Sequence, residues 1–181
     1  MGKKIVVLNG SPRANGNTAA LIDSLRKGAG EAGHAVTEFR LQSMKIGACL
    51  GCYGGGKDPD SPCVQKDDMD AIYPAYRAAD VVVLASPLYF WTVSGQLKCA
   101  FDRLFAVAEG NPGYQSPAKD CVLVMAAEGN EYEEAVYWYS RLMNHLGWTD
   151  RGRILAEGVV APGDVKGKPI LEEARKLGAS L

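Results

Sequence analysis

The sequence predicts an α/β protein, a parallel sheet with helices on both faces. Three observations carry this. Residues 5–8 (IVVL), 80–85 (DVVVLA) and 120–126 (DCVLVMA) are short, almost continuous apolar runs, as expected of strands buried on both faces. Strand-like and helix-like segments alternate five times along the chain, the order of successive strand–helix–strand units. The 181 residues, 47% of them apolar, suffice for one domain, 1–181, with a core on each side of a sheet.

The elements follow in order. After the strand at 5–8, Asn17 is positioned to cap a helix reaching about residue 32, with Ala20, Leu21, Leu25 and Ala29 at helical spacing. Gly33-His34 ends it, which gives His34 a turn role. Residues 35–41 alternate and read as a second strand. Residues 42–67 carry little periodicity, three cysteines and a triple glycine, which is long for a loop without a function. A helix at 68–79 contains Pro74, where a kink or split is expected. The strand at 80–85 precedes a helix at 94–107, and a Pro/Gly-rich loop covers 109–119. The strand at 120–126 precedes a helix at 132–145, ended by Gly147. A last strand at 153–160 and a short helix at 169–177 complete the pattern, with no internal repeat.

Composition removes several function classes. A net charge of −1 offers no basic field for nucleic acid. No apolar run approaches the roughly 20 residues of a membrane span. The four apolar residues after Lys4 are too few for a secretory leader, so a cytoplasmic location is expected. Five cysteines, an odd number, do not suggest a secreted disulfide framework.

In a sheet of this kind ligands sit outside the carboxyl ends of the strands. Three loops are expected there: 9–18, 86–93 and 126–131. The first supplies Ser11, Arg13, Asn15, Asn17 and Thr18 just before a helix N-terminus, where free N–H groups and the helix dipole favour an anion. The second is aromatic (Tyr89, Phe90, Trp91), and the third is small apart from Glu128. A ligand with a phosphate tail and a flat ring suits all three. Gly10 and Gly16 stand alone, which excludes the dinucleotide fingerprint. Five residues separate them and no Lys follows, which excludes a Walker A loop. A single terminal phosphate remains. Helix capping by Asn17 or Thr18 and a plain turn at Asn15-Gly16 are the alternatives for single residues. Tyr89, Phe90 and Trp91 can serve as core rather than as a stacking wall.

Gly10-Ser11-Pro12-Arg13, Asn15-Gly16-Asn17-Thr18, Cys49-x-x-Cys52, Asp67-Asp68-Met69, residues 86–91 (SPLYFW) and 94–98 (SGQLK) together resemble the NAD(P)H-dependent FMN reductase family, close to its iron–sulfur flavoprotein branch. The resemblance spans about residues 4–107. It implies a flavodoxin-like three-layer fold with strand order 2-1-3-4-5, bound FMN, NAD(P)H as co-substrate, and a homodimer or homotetramer. By motif, Ser11, Arg13, Asn15, Asn17 and Thr18 would hold the FMN phosphate. Pro87, Leu88, Tyr89, Phe90 and Trp91 would line the ring, with Trp91 bordering the acceptor pocket. Ala127, Glu128 and Gly129 would approach the ring's other edge.

Hydride transfer to a flavin needs no protein acid, base or nucleophile. The chain accordingly offers no Ser-His-Asp set and no paired carboxylates at these loops, and no catalytic residue is assigned. Iron–sulfur flavoproteins carry four clustered cysteines. Here Cys49, Cys52 and Cys63 stand with Gly55 at the remaining position, one thiolate short of a [4Fe–4S] cluster or a zinc site. An iron–sulfur cluster is therefore not expected, and no metal site is assigned. Cys99 and Cys121 read as small core residues. The expected activity is transfer of hydride from NAD(P)H, through FMN, to a small acceptor such as a quinone, flavin, nitro or azo compound. The alternatives are a non-enzymatic electron carrier of flavodoxin or iron–sulfur flavoprotein type, and a flavin-binding redox sensor.

Overall fold

The computed structural model describes residues 2–181. One five-stranded sheet, wholly parallel, has the order β2-β1-β3-β4-β5. Its strands are β1 (Lys4–Asn9), β2 (Ala35–Arg40), β3 (Val81–Pro87), β4 (Asp120–Ala126) and β5 (Thr149–Ala156). The helices are α1 (Asn17–Glu31), α2 (Met69–Ala78), α3 (Gly95–Arg103), the single turn α4 (Phe105–Ala108), α5 (Glu133–Leu146) and α6 (Ile170–Ala179). The period-2 geometry of the strands divides the interior into two cores. Val6, Leu8, Val82, Leu84, Leu123 and Met125 meet Met69, Ile72, Tyr73, Leu97 and Tyr139 from α2, α3 and α5 on one face. Ile5, Val7, Val81, Val83, Val122 and Val124 meet Leu21, Ile22 and Leu25 of α1 and Ala174 of α6 on the other. This is the flavodoxin-like architecture that the sequence suggested.

The chain leaves β1 toward β2 in one direction and builds β3, β4 and β5 in the other. The carboxyl ends of β1 and β3 therefore flank the crevice where strand order reverses, the usual ligand position in such sheets.

Three local expectations change, and one is narrowed at Pro74 to exclude a split. The last strand is Thr149–Ala156 rather than 153–160. Its first half is exposed at the sheet edge and therefore polar, and a bulge opposite Cys121/Val122 leaves Arg151 unpaired. Gly158, at φ +62, turns the chain away where an apolar Val-Val pair imitates strand. The helix expected at 94–107 breaks at Leu104, whose N–H bonds Phe101 at 3.0 Å, one residue short of the α-helical partner, while the Arg103 carbonyl accepts from Tyr73 Oη at 3.3 Å. Pro74 lies within α2 without ending it. Cys121 is a buried core residue, but Cys99 is only half-buried, at the edge of a shallow groove beside Leu41 and Gln42. His34 does serve the turn, its Nδ1 accepting the Lys3 N–H at 3.1 Å.

The segment 44–68 is pinned by Arg103, whose side chain is fully buried. Its guanidinium donates to both Asp67 carboxylate oxygens (2.7 and 3.1 Å), to the Gly47 and Gln65 carbonyls, and to Cys63 Sγ (3.2 Å). Burial pushes the Asp67 carboxyl up, but Arg103 and the backbone N–H groups of Gly47 and Met69 outweigh it and hold the group below its ordinary value of 3.8. α1 and α6 approach closely through glycines. A Cβ at Gly28 would lie 1.8 Å from the Arg175 carbonyl oxygen, and one at Gly178 would lie 2.1 Å from that of Leu25.

Two outcomes are expected. Gly28→Ala lowers the unfolding free energy by about 1–3 kcal/mol through overpacking. Gly30→Ala, with open space at its Cβ, raises it by up to about 1 kcal/mol through helix propensity. Urea titration of the two variants separates these effects. Because the Asp67 carboxyl is depressed in the folded state, its stabilisation is present above the unfolded value of 3.8 and is lost as pH falls through the folded value. Asp67→Asn is expected to cost about 3 kcal/mol at pH 7, since it strands a buried cation. Its stability falls less steeply than the parent's in chemical denaturation below pH 4.

Candidate functional site

The crevice is built on a buried hydrogen-bond network. The Gly10 N–H reaches the Ala85 carbonyl at 2.8 Å, so the β1–β3 pairing extends one residue past the strand. The Gly10 carbonyl accepts from Ser94 Oγ at 2.7 Å. Ser94 caps α3, its Oγ accepting the Leu97 N–H at 3.3 Å, while its own N–H donates to Ser86 Oγ at 2.8 Å. Position 10 admits only glycine, because a Cβ there would lie 2.5 Å from Ser94 Oγ and 2.7 Å from Leu97 Cβ. Both ends of the loop 86–94 are thereby tied to each other and to the loop after β1.

That first loop then turns tightly. Asn9 Oδ1 accepts the Ser11 N–H at 2.9 Å, while Asn9 Nδ2 donates to Glu38 of β2 at 2.9 Å. Ser11 Oγ accepts the Arg13 N–H at 3.3 Å. Gly16, not Asn17, is the residue preceding α1, and no side chain caps the helix. The first-turn amides are thus left to a ligand, and no acidic residue stands in that turn. Asn17 instead serves a strap at 157–168. Its Nδ2 donates to the Ala161 carbonyl at 3.0 Å, and its Oδ1 accepts the N–H groups of Gly163 (3.1 Å) and Val165 (3.2 Å). Arg13 Nη1 meets the Val160 carbonyl of the same strap at 2.7 Å.

The second loop carries an unusual turn. Tyr89 and Thr92 exchange both N–H···O bonds (2.9 and 3.1 Å), with Phe90 at φ +47 and Trp91 at φ +62 between them. Positive φ at both central positions is the pattern of a type I′ turn, usually filled by Asn-Gly. Phe90 is 91% exposed and Trp91 52%. In the third loop, the Ala127 N–H bonds Ala156, and the strap returns through Val159 N–H to the Ala127 carbonyl and Gly158 N–H to the Glu128 carbonyl. Tyr132 Oη donates to the Ala156 carbonyl at 2.7 Å. Burial pushes its phenol well above the ordinary range, so it remains a neutral donor.

These elements enclose a cleft of about 240 Å³. Ser11, Arg13, Asn17, Thr18, Pro87, Leu88, Tyr89, Ala127 and Glu128 border it, all of them residues singled out in the sequence. Asn15 is exposed and does not border it, nor do Gly129 at the tip of the third loop or the outward-facing Phe90 and Trp91. The sequence reading missed Gly16, Ala126, Val159 and Val160. The last two were assigned to a strand. The signal for a loop was Gly158, together with the polar Thr149–Arg151 stretch that starts β5 earlier. One end of the cleft gathers hydroxyls, free amides and a guanidinium; the other is bordered by Pro87, Leu88, Tyr89, Ala126 and Ala127, with Glu128 as its one charged residue. That donor set fits a phosphate monoester with a flat body behind it. The cysteine segment borders a separate cavity. Among the described residues, no group of three or more His, Cys, Asp or Glu side chains has the arrangement to hold a metal ion. No helix among them is long and apolar enough to cross a membrane.

The chain is similar to several known proteins in sequence and in fold. An iron–sulfur flavoprotein of Archaeoglobus fulgidus is 33% identical over 178 residues, covering 98% of this chain and 78% of its own. One from Methanocaldococcus jannaschii is 29% identical and covers 98% and 95%. The NAD(P)H:quinone oxidoreductase of Methanothermobacter marburgensis superposes with a TM-score of 0.72 at 18% identity, over 99% of this chain and 97% of its own. An FMN-dependent NADH-azoreductase of Bacillus anthracis, solved with FMN, gives 0.70 at 13% identity, over 97% and 98%. Residues 3–159 match the family of NADPH-dependent FMN reductases as a whole, and the chain belongs to that family of oxidoreductases.

Proposed function

We propose that the chain holds FMN in the cleft between the loops after β1, β3 and β4, and passes electrons from NAD(P)H through it to a small acceptor such as a quinone, flavin, nitro or azo compound. The carrying observation is that one cleft joins an uncapped helix start, with Ser11, Arg13 and Thr18 beside it, to an end bordered by Pro87, Leu88 and Tyr89. When bound, FMN supplies acceptance and return of a hydride. The chain's own residues bind and orient. Ser11 Oγ, the Arg13 guanidinium, Thr18 and the first amides of α1 supply donors for the phosphate. Arg13 spends one N–H on Val160 and keeps others for this purpose. Asn17 contributes its amide and, through its side chain, the closure of the strap. Pro87, Leu88 and Tyr89 form one wall, and Ala127 and Glu128 the other. Asn15 and Gly129, exposed and outside the cleft lining, have no part in holding the cofactor in this reading. Phe90 and Trp91 stand clear of the cleft, where nicotinamide, acceptor or a second subunit can stack on them. A homodimer or homotetramer in the cytoplasm is part of this reading.

The experiment is FMN binding by flavin fluorescence quenching, followed by anaerobic addition of NADPH. Loss of the oxidised-flavin absorption within seconds is expected, and a protein that binds no FMN overturns the reading. Arg13→Ala is expected to weaken FMN by about 1–3 kcal/mol, as for loss of a charge-assisted hydrogen bond, while riboflavin, lacking the phosphate, binds both forms alike. Asn17→Ala should loosen the strap, seen as faster amide exchange at 158–166, along with any loss of FMN affinity. Loss of affinity without faster exchange would make Asn17 a direct ligand.

A further inference from the structure

Cys49, Cys52 and Cys63 border one cavity of about 120 Å³, and no residue of it borders the proposed flavin cleft. The structure divides these thiols into two kinds. Cys63 is buried, its sulfur accepting the Nε–H of Arg103 at 3.2 Å, and that guanidinium is fixed in turn by Asp67. Cys49 and Cys52 are exposed. They lie three residues apart in irregular backbone, and between them Gly51, at φ +61, donates its N–H to Cys49 Sγ at 3.4 Å.

A four-thiolate cluster does not fit. Gly55, the remaining position of the motif, donates its N–H to Glu109 Oε2 at 3.2 Å. A Cβ there would lie 2.3 Å from that carboxylate oxygen and 3.1 Å from Ala106 Cβ of α4, so the position is closely packed as well as lacking a thiol, and only three cysteines stand in the segment.

We propose that Cys49 and Cys52 form a reversible dithiol–disulfide pair that exchanges with small-molecule disulfides, with Cys63 remaining a thiol. Cysteines at this spacing close a very short loop, so little chain entropy opposes pairing. The sulfur of one cysteine attacks the small disulfide, whose S–S bond breaks; one half leaves with the bonding electrons and takes up a proton. The second cysteine attacks the resulting mixed disulfide and expels the other half as a second thiol. In sum, two protein S–H bonds give one S–S bond, and two electrons and two protons pass to the small disulfide. Tyr53, at φ +49 beside the pair, packs edge-on against Phe105 at 5.9 Å, giving the site an apolar wall. The proposal does not depend on flavin binding.

The test equilibrates the full chain with reduced and oxidised glutathione at fixed ratios, quenches with an alkylating reagent under denaturing conditions, and maps the cysteines by mass. Alkylation of Cys49 and Cys52 is expected to disappear together, with a loss of two hydrogens in mass, no retained glutathione and a monomeric chain on non-reducing gels. Cys63 stays alkylated. Cys49→Ser and Cys52→Ser, both at exposed positions, are each expected to retain one glutathione on the remaining partner, where the parent retains none. The proposal is overturned by independent glutathione adducts on both cysteines of the parent. A disulfide that includes Cys63 or joins two chains, or full alkylation at the most oxidising ratio, also overturns it.

Discussion

The crevice depends on the absence of one side chain. Gly10 lies against Ser94 and Leu97 so closely that no Cβ can be accommodated. That contact lets one serine bond the end of β1, cap α3 and reach Ser86 at the end of β3. The loop after β1 and the aromatic loop are thus mechanically one unit. Their distance is set by a buried network in which both serines are fully inside. A flexible connection there would leave a cofactor's tail and ring to be positioned separately, at the cost of ordering both on binding.

Much of the fold was legible because its strands are buried on both faces, and such strands must be apolar almost throughout. β1, β3 and β4 could be read directly. β5 could not, because it lies at the edge, begins exposed and carries a bulge at Arg151; its polar start resembles a loop and the turn after it resembles a strand. The loop after β1 was legible as a composition of donors before a helix. The strap was not. Asn17 and its partners are about 145 residues apart in sequence, and nothing local marks an asparagine as bound to a distant backbone rather than to an anion. Two of the four residues that border the cleft but escaped the sequence reading, Val159 and Val160, belong to this strap.

Arg103 plays for the cysteine segment the part that Gly10 plays for the crevice. A buried guanidinium in contact with one carboxylate, two carbonyls and a thiol organises a stretch that has almost no regular secondary structure. A buried ion pair is weak evidence for stability; what the arrangement shows is that the donors of Arg103 are satisfied within this one segment. The sequence motif containing Asp67 therefore has a physical reading independent of any ligand: it supplies the counter-charge that allows α3 to end inside the protein.

The turn at Phe90-Trp91 has a consequence for how the protein can change. Two aromatic residues are held at positive φ, a conformation costing of order 1–3 kcal/mol for each, in a turn that Asn-Gly would fill without strain. Selection for folding alone would replace them. The substitution that most relaxes this backbone is also the one that removes the largest exposed aromatic surface beside the cleft. Backbone ease and exposed aromatic area are therefore opposed at these two positions, and a thermostabilised descendant obtained by screening for folding would be expected to lose this aromatic surface first.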